Sequence, residues 1–331
     1  VSRLTTAAAT SHTLSLAAME EASRTGERTA GVDHLFLALV VSEQPAGQVL
    51  RSLGITLDAA REAVAAQHTA QLASLGVTAS VPVPGRITFH ETGDYRWGER
   101  ALEIITRASE GSRLGDAAAV LRELLAEPSG FVGAVLHRLG TDPDEVRARL
   151  DEAERLPAQF LPGFAAAALA GSAESFVPAL PERVWEMLDD PARFPEWEPS
   201  TGSVDDFPSQ ARVGSTWRGR ARTERPDGKP LRVKPEYRAS LVEITAREPQ
   251  HLIEWRFAWP DAPGSNTKRI RIELEPAAGG TQLRTSLVWE RDPDRGLRLR
   301  RVLRPLLRPV HRFAIWMQLT QLGGGISRAF R

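Results

Sequence analysis

Residues 269–290 read "RIRIELEPAAGGTQLRTSLVWE". Ile270, Ile272 and Leu274 alternate with Arg269, Arg271, Glu273 and Glu275, and Leu283, Thr285, Leu287 and Trp289 alternate with polar neighbours. A period of two sends one set to each face of a strand. One face here is apolar and the other charged, the pattern of an antiparallel sheet wetted on one side. "PAAGGTQ" between the two runs reads as a hairpin connection. Upstream, "HLIEWRFAWP" (251–260) repeats the alternation with Ile253, Trp255, Phe257 and Trp259. Outward from these runs the order is a strand at 174–180, a helix at "PERVWEMLDD", a short Pro-flanked helix at "PARFPEWEP", five or six strands and a long C-terminal helix.

The first half obeys a different period. From Thr10 to Val64, and again from Trp97 to Leu150, an Ala-rich amphipathic helix, a leucine-rich helix and a "VLxxLG" string recur, a degenerate internal repeat. Gly26, Gly54 and Gly140 stop helices, and "TDPDE" at 141–145 opens a final one with a cap and an acidic first turn. "ASVPVPGRITFHETGDY" between the copies reads as an exposed loop. The spacing predicts two domains, an all-α repeat over 1–157 and an α+β domain over 174–331, joined by an Ala-rich linker at 158–173.

Composition narrows the chemistry. The 331 residues contain no cysteine, so disulfides, thiolate metal sites and cysteine nucleophiles are excluded. The chain is neutral overall, but residues 1–170 hold 15 Arg against 21 acidic side chains, which leaves the second half basic. The start of the sequence lacks a continuous apolar run, and "FLPGFAAAALAGSAESF" (160–176) is too short to span a bilayer, so a cytoplasmic protein is expected. No "GxxxxGK[ST]" occurs, which excludes a P-loop motor.

"GVDHLFLALV" with "VLRSLGI" resembles the Clp N-terminal (Clp R) double repeat, the docking module of Clp unfoldases. The resemblance implies a surface for adaptors, phosphoarginine or peptide antibiotics. It places the guanidinium-binding carboxylate at Asp33, with His34 beside it, and the apolar groove positions at Leu4 and Trp97. In the second copy Ala118 and Ala119 stand where the acid and histidine would be. Asp33 reads more readily as an ordinary helix N-cap, and Trp97 equally as a lid on the core.

"VWEMLDDPARFPEWEP", "VGSTWRG" and "GGTQLRTSLVW" resemble the SRPBCC superfamily, in its polyketide cyclase/dehydrase-like and START-like branch. That resemblance implies a helix-grip fold, a curved sheet around the last helix, with an elongated apolar cavity for a small hydrophobic ligand. Trp217, Tyr237, Trp255, Phe257, Trp259 and Trp289 fall on the expected concave face, and Phe313, Trp316 and Met317 on the closing helix. Such a stripe serves as core or as pocket wall.

Catalytic chemistry finds little purchase. Tyr237, Glu254 and His311 are the available acid–base groups, no set of His, Asp and Glu has metal-ligand spacing, and neither metal nor cofactor is expected. From Arg295 onward there are nine Arg and no acid. This tail reads as the solvated outer face of the grip helix, interrupted by Pro305 and Pro309, in preference to a membrane or nucleic-acid surface. Gly323–Gly325 reads as a bend over the pocket mouth. The expected function is noncatalytic: a hydrophobic-ligand pocket coupled to a Clp-type docking module, as an adaptor, a decoy or a trap for peptide antibiotics. The alternative is a polyketide- or lipid-modifying enzyme with an accessory helical domain.

Overall fold

The computed structural model describes residues 3–77, 84–88, 94–110, 113–155, 169–208, 210–225, 228–290 and 299–331, and for 3–6 and 299–309 the backbone alone. The chain divides into two compact units, Val1–Gln159 and Phe160–Phe330.

The first unit is helical. Its elements are α1 (Arg3–Arg24), α2 (Val32–Val40), α3 (Pro45–Ser52) and α4 (Leu57–Ser74), then α5 (Glu99–Ala108), α6 (Ala117–Leu125), α7 (Phe131–Arg138) and α8 (Pro143–Arg155). Two-residue strands β1 (Thr29–Ala30) and β2 (Arg96–Trp97) pair in parallel. The Thr56 hydroxyl caps α4 by accepting from Ala59 N–H, and the Asp116 carboxylate caps α6 from Ala119 N–H, so polar side chains satisfy otherwise orphaned donors. The quartets α1–α4 and α5–α8 interlock: α3 packs on α8 and α4 on α7, while α2 meets α7 and α3 meets α6. Exchanging the quartets maps each of these contacts onto the other. The "LG" turns after α3 and α7 match as well, with Ile55 N–H donating to Leu50 O and Thr141 N–H to Leu136 O. One difference lies inside: the buried Arg51 guanidinium donates to Val40 O at 2.7 Å and Ser42 O at 2.8 Å, and burial pushes it down to about 10. The second copy carries His137 at that place.

The second unit runs β3 (Ala170–Val177), α9 (Pro181–Asp189), a tight turn into α10 (Phe194–Trp197), β4 (Thr201–Asp205), β5 (Thr216–Ala221), β6 (Ala239–Glu248), β7 (Leu252–Ala258), β8 (Thr267–Ala277), β9 (Gly280–Glu290) and α11 (Leu299–Arg328). The first strand begins at Ala170, within the stretch read as linker; residues 158–168 lie outside the described ones. The sheet order is β3-β9-β8-β7-β6-β5-β4, antiparallel throughout. Helix α11 lies along β3 and also touches β9 and α10. This is the helix-grip arrangement.

Period-two burial decides which face α11 covers. Ile270, Ile272, Leu274, Leu283 and Leu287 are all buried, beside α11 residues Ile315, Leu319, Leu322 and Ile326. The Gly323–Gly325 run lies inside the continuous helix α11. A Cβ on Gly323 would stand 2.8 Å from Ser175 of β3, and one on Gly325 would stand 2.6 Å from the Trp197 carbonyl oxygen, so the glycines let helix and sheet close together. At the other end of the core, Arg247 forms a two-armed ion pair with Asp189, both arms 2.7 Å, and covers the Trp185 ring, clipping α9 to β6.

Candidate functional site

Strand register organises the concave face into rows. One row runs Ile244, Trp255, Ile270, Leu287 and Gly171, with Ile315 and Leu319 seated over Gly171. Two residues along every strand, the next row runs Trp217, Val242, Phe257, Lys268 and Trp289. A lysine thus stands between Phe257 and Trp289 in an otherwise apolar row.

The deep part of the face is filled by the protein itself. Phe194 packs its ring 4.5 Å from Trp197, 5.6 Å from Trp217, 5.5 Å from Trp255 and 5.8 Å from Phe257, centroid to centroid. Trp217, Trp255 and Phe257 are buried in this cluster, among the core side chains of the unit. The segment "PARFPEWEP", through α10, delivers Phe194 and Trp197 into this cluster. The indole N–H groups of Trp197 and Trp217 have no hydrogen-bond partner among the described residues.

Toward the mouth the rings become half-exposed. Tyr237 meets Trp259 edge-on at 6.0 Å, Trp259 lies parallel to Trp289 at 5.7 Å with a 10° interplanar angle, and Trp289 Nε1–H donates to Gln318 Oε1 of α11 at 3.3 Å. Phe313 and Trp316 meet each other at 5.7 Å, Phe313 being exposed and Trp316 and Met317 half-buried. The structure therefore joins Tyr237, Trp259 and Trp289 into one ladder and splits the nine nominated aromatic and Met positions into a solid floor and an open rim.

Between floor and rim sits a pair that sequence reasoning missed. Lys268 Nζ donates to Glu198 Oε1 at 3.0 Å and lies 4.1 Å from the centre of the Phe257 ring, a cation–π contact. Glu198 Oε2 also accepts from the Thr201 hydroxyl at 2.7 Å and from Ser200 N–H at 3.1 Å. Both charged side chains are buried. Burial alone would raise the Glu198 carboxyl, but the Lys268 ammonium and the Thr201 and Ser200 hydroxyls outweigh it and hold the group below the ordinary carboxylate range. The sequence signal for Lys268 was its parity with Ile270 and Ile272; Glu198 follows a short helix and has no such signal.

The other nominated groups are dispersed. Glu254 belongs to the opposite sheet face, bonded to the Thr245 hydroxyl at 2.7 Å with Arg269 at 3.6 Å. His311 lies on α11, apart from both. A cleft of about 720 Å³ is lined by residues of β4 and β5, among them Arg218 and Arg220, and by the segments around them, including Arg225 and Arg238. Among the described residues no group of His, Cys, Asp and Glu could hold a metal ion.

In the helical unit, the Asp33 carboxylate is already engaged: Oδ2 lies 2.9 Å from His68 Nε2, and Oδ1 lies 3.0 Å from His34 Nδ1. Burial would raise the Asp33 carboxyl, yet its hydrogen bonds to His34 and His68 push it far below the usual range. His34 Nδ1 is also 3.1 Å from Gly31 N, so a bare Nδ1 accepts that N–H and a protonated one donates to Asp33. Trp97 is half-buried and donates to Ser15 Oγ at 3.2 Å, while the Leu4 side chain lies outside the described residues.

Comparison with curated proteins yields no match. Among solved structures, a protein from Chromobacterium violaceum is 19% identical, with 48% of this chain and 97% of that chain covered and a TM-score of 0.32. One from Rhodobacter sphaeroides is 15% identical over 50% of this chain and 94% of that one, TM-score 0.33. One from Nitrosomonas europaea is 16% identical over 49% and 96%, TM-score 0.32. These likenesses are shallow. The sequence match is more direct: residues 142–316 match the family described as polyketide cyclase / dehydrase and lipid transport. It begins at residue 142, so the Clp resemblance of the preceding helices gains no support from it. Covering more than half of the chain and including the whole seven-stranded sheet and α11 as far as Trp316, this match makes the chain a member of the polyketide cyclase / dehydrase and lipid transport family.

Proposed function

We propose that the C-terminal unit is a noncatalytic binding domain for a flat, largely apolar molecule, admitted between the Tyr237–Trp259–Trp289 ladder and α11. The half-exposed ladder carries this reading: it lies over a packed aromatic floor, at the level where the only charged member of the concave row, Lys268, is found. A flat ring extends such a ladder by offset stacking. The Lys268 ammonium has three N–H bonds; one serves Glu198 and one faces Phe257, which leaves a third for a ligand carbonyl or hydroxyl oxygen. Because the Glu198–Lys268 pair is neutral as a whole, a neutral oxygen acceptor fits it better than a second anion. The family's description supports a hydrophobic ligand in this unit.

We further propose that the N-terminal helical unit is a docking module of the Clp N-terminal kind, for a peptide or adaptor. Its interlocked quartets support that reading. With Asp33 held by two histidines, peptide docking is favoured over phosphoarginine capture.

Titration of the full chain with Nile red, a flat, neutral and largely apolar dye with a carbonyl oxygen, tests the first reading. Saturable fluorescence enhancement is expected, weakened about tenfold or more by Trp259→Ala, as for other aromatic anchors. Undiminished binding by both Trp259→Ala and Trp289→Ala would move the site elsewhere.

A further inference from the structure

Helix α11 outruns the sheet it grips. Ile315 sits over Gly171 and Gly323 over Ser175, so eight helix residues run beside four strand residues, about 12 Å in each case. Strand β3 begins at Ala170, and the fifteen helix residues before Ala314 therefore continue past its start for about 22 Å. Within this extension the helix changes sides. At about 100° per residue, positions 299, 303, 306, 310 and 313, occupied by Leu, Leu, Leu, Val and Phe, share an arc about 80° wide. The sheet-facing line of Ile315, Leu319, Leu322 and Ile326 lies on the opposite side of the helix axis. Where side chains are described the exposure agrees: Val310 is 62% and Phe313 60% exposed, whereas Ile315, Leu319, Leu322 and Ile326 are 5% exposed or less. Arginine occupies positions 300, 301, 304, 308 and 312, all on the arc opposite the apolar one, and no acidic residue occurs between 299 and 331.

We propose that the N-terminal half of α11 is a docking element for the surface of an anionic lipid bilayer. A continuous apolar arc backed by cations alone is the form of a helix that lies in the membrane interface. The arc faces away from the sheet, so a flat surface reaches it without meeting the sheet. A second copy of the helix is a poorer occupant, because two arginine-rich, acid-free helices would repel with no opposite charges to pair. A nucleic acid would engage the arginines and leave Val310 and Phe313 in water. The element does not insert across the bilayer, since no helix among the described residues is long and apolar enough to cross one. Pro305 and Pro309 do not interrupt the helix, and both fall to one flank of the apolar arc.

Co-sedimentation of the full chain with phosphatidylcholine vesicles, with and without phosphatidylglycerol, tests the proposal. Binding is expected only to the anionic vesicles, and it should weaken with salt. The double substitution Val310→Ser with Phe313→Ser should reduce it by about tenfold or more at unchanged melting temperature. Val310→Leu with Phe313→Leu should retain it, and Arg308→Ala or Arg312→Ala should each cost about fivefold. Absence of binding to anionic vesicles, or equal binding by the serine variant, overturns the proposal. So does a dimer that the serine variant abolishes, or nucleic-acid binding that the serine variant retains while vesicle binding is absent.

Discussion

The Glu198–Lys268 pair shows how much one misplaced charge would cost. Lys268→Ala leaves a buried carboxylate with two hydroxyls and one N–H but no cation, and should destabilise the unit by about 3–5 kcal/mol. Adding Glu198→Gln in the Lys268→Met background should recover much of that loss, a cycle readable by urea denaturation. Glu198 has a folded-state value below its ordinary 4.5, so its contribution is present above pH 4.5 and lost as pH falls through the depressed value. His34 titrates the other way. Burial would lower it, but Asp33 outweighs burial and raises it above 6.5. Its contribution is therefore complete below pH 6.5 and disappears as pH rises through the raised value. The melting temperature of the helical unit should fall across that window, and His34→Gln should flatten the profile; an unchanged slope would remove His34 as its source. Neither partnership was legible in the sequence. Lys268 has the parity of a core residue, but its charge obscured that signal, and Asp33 at a helix start does not announce that His68, 35 residues later, will meet it.

At the scale of elements, alternation fixed which strand residues share a face, because period two leaves no freedom once one side is buried. It could not say how far the face is filled. That depended on α10, four residues whose Phe194 and Trp197 pack against Trp217, Trp255 and Phe257. The helix α11 was legible as an element but not in its division of labour, since only the grip at Ile315 and beyond, against the exposed Val310 and Phe313, shows that the two stretches differ. The same seat makes a sharp prediction. Gly325→Val would force side-chain atoms toward the Trp197 carbonyl, already 2.6 Å from a bare Cβ, and should destabilise the C-terminal unit by about 1–3 kcal/mol. Gly324, whose Cβ would meet nothing within 4 Å, should accept Ala with little change. Comparable losses at both positions in thermal denaturation would contradict the close helix–sheet seat.

For the whole molecule, we propose that the two compact units fold independently, with the connection between Arg155 and Ala170 as the separable joint. Limited proteolysis should first yield two folded fragments divided there, and a first cut within α2 or β8 would count against it. The sheet order carries a further consequence for synthesis. Strand β3 has its sole strand partner in β9, and about a hundred residues separate them. A ribosome adding roughly 5–20 residues per second leaves the first strand of the sheet waiting about 5–20 s for the last. The helical repeat, complete by Arg155, can fold during that interval, whereas the emerging sheet must grow from its β4 side toward an edge that closes only once β9 has emerged.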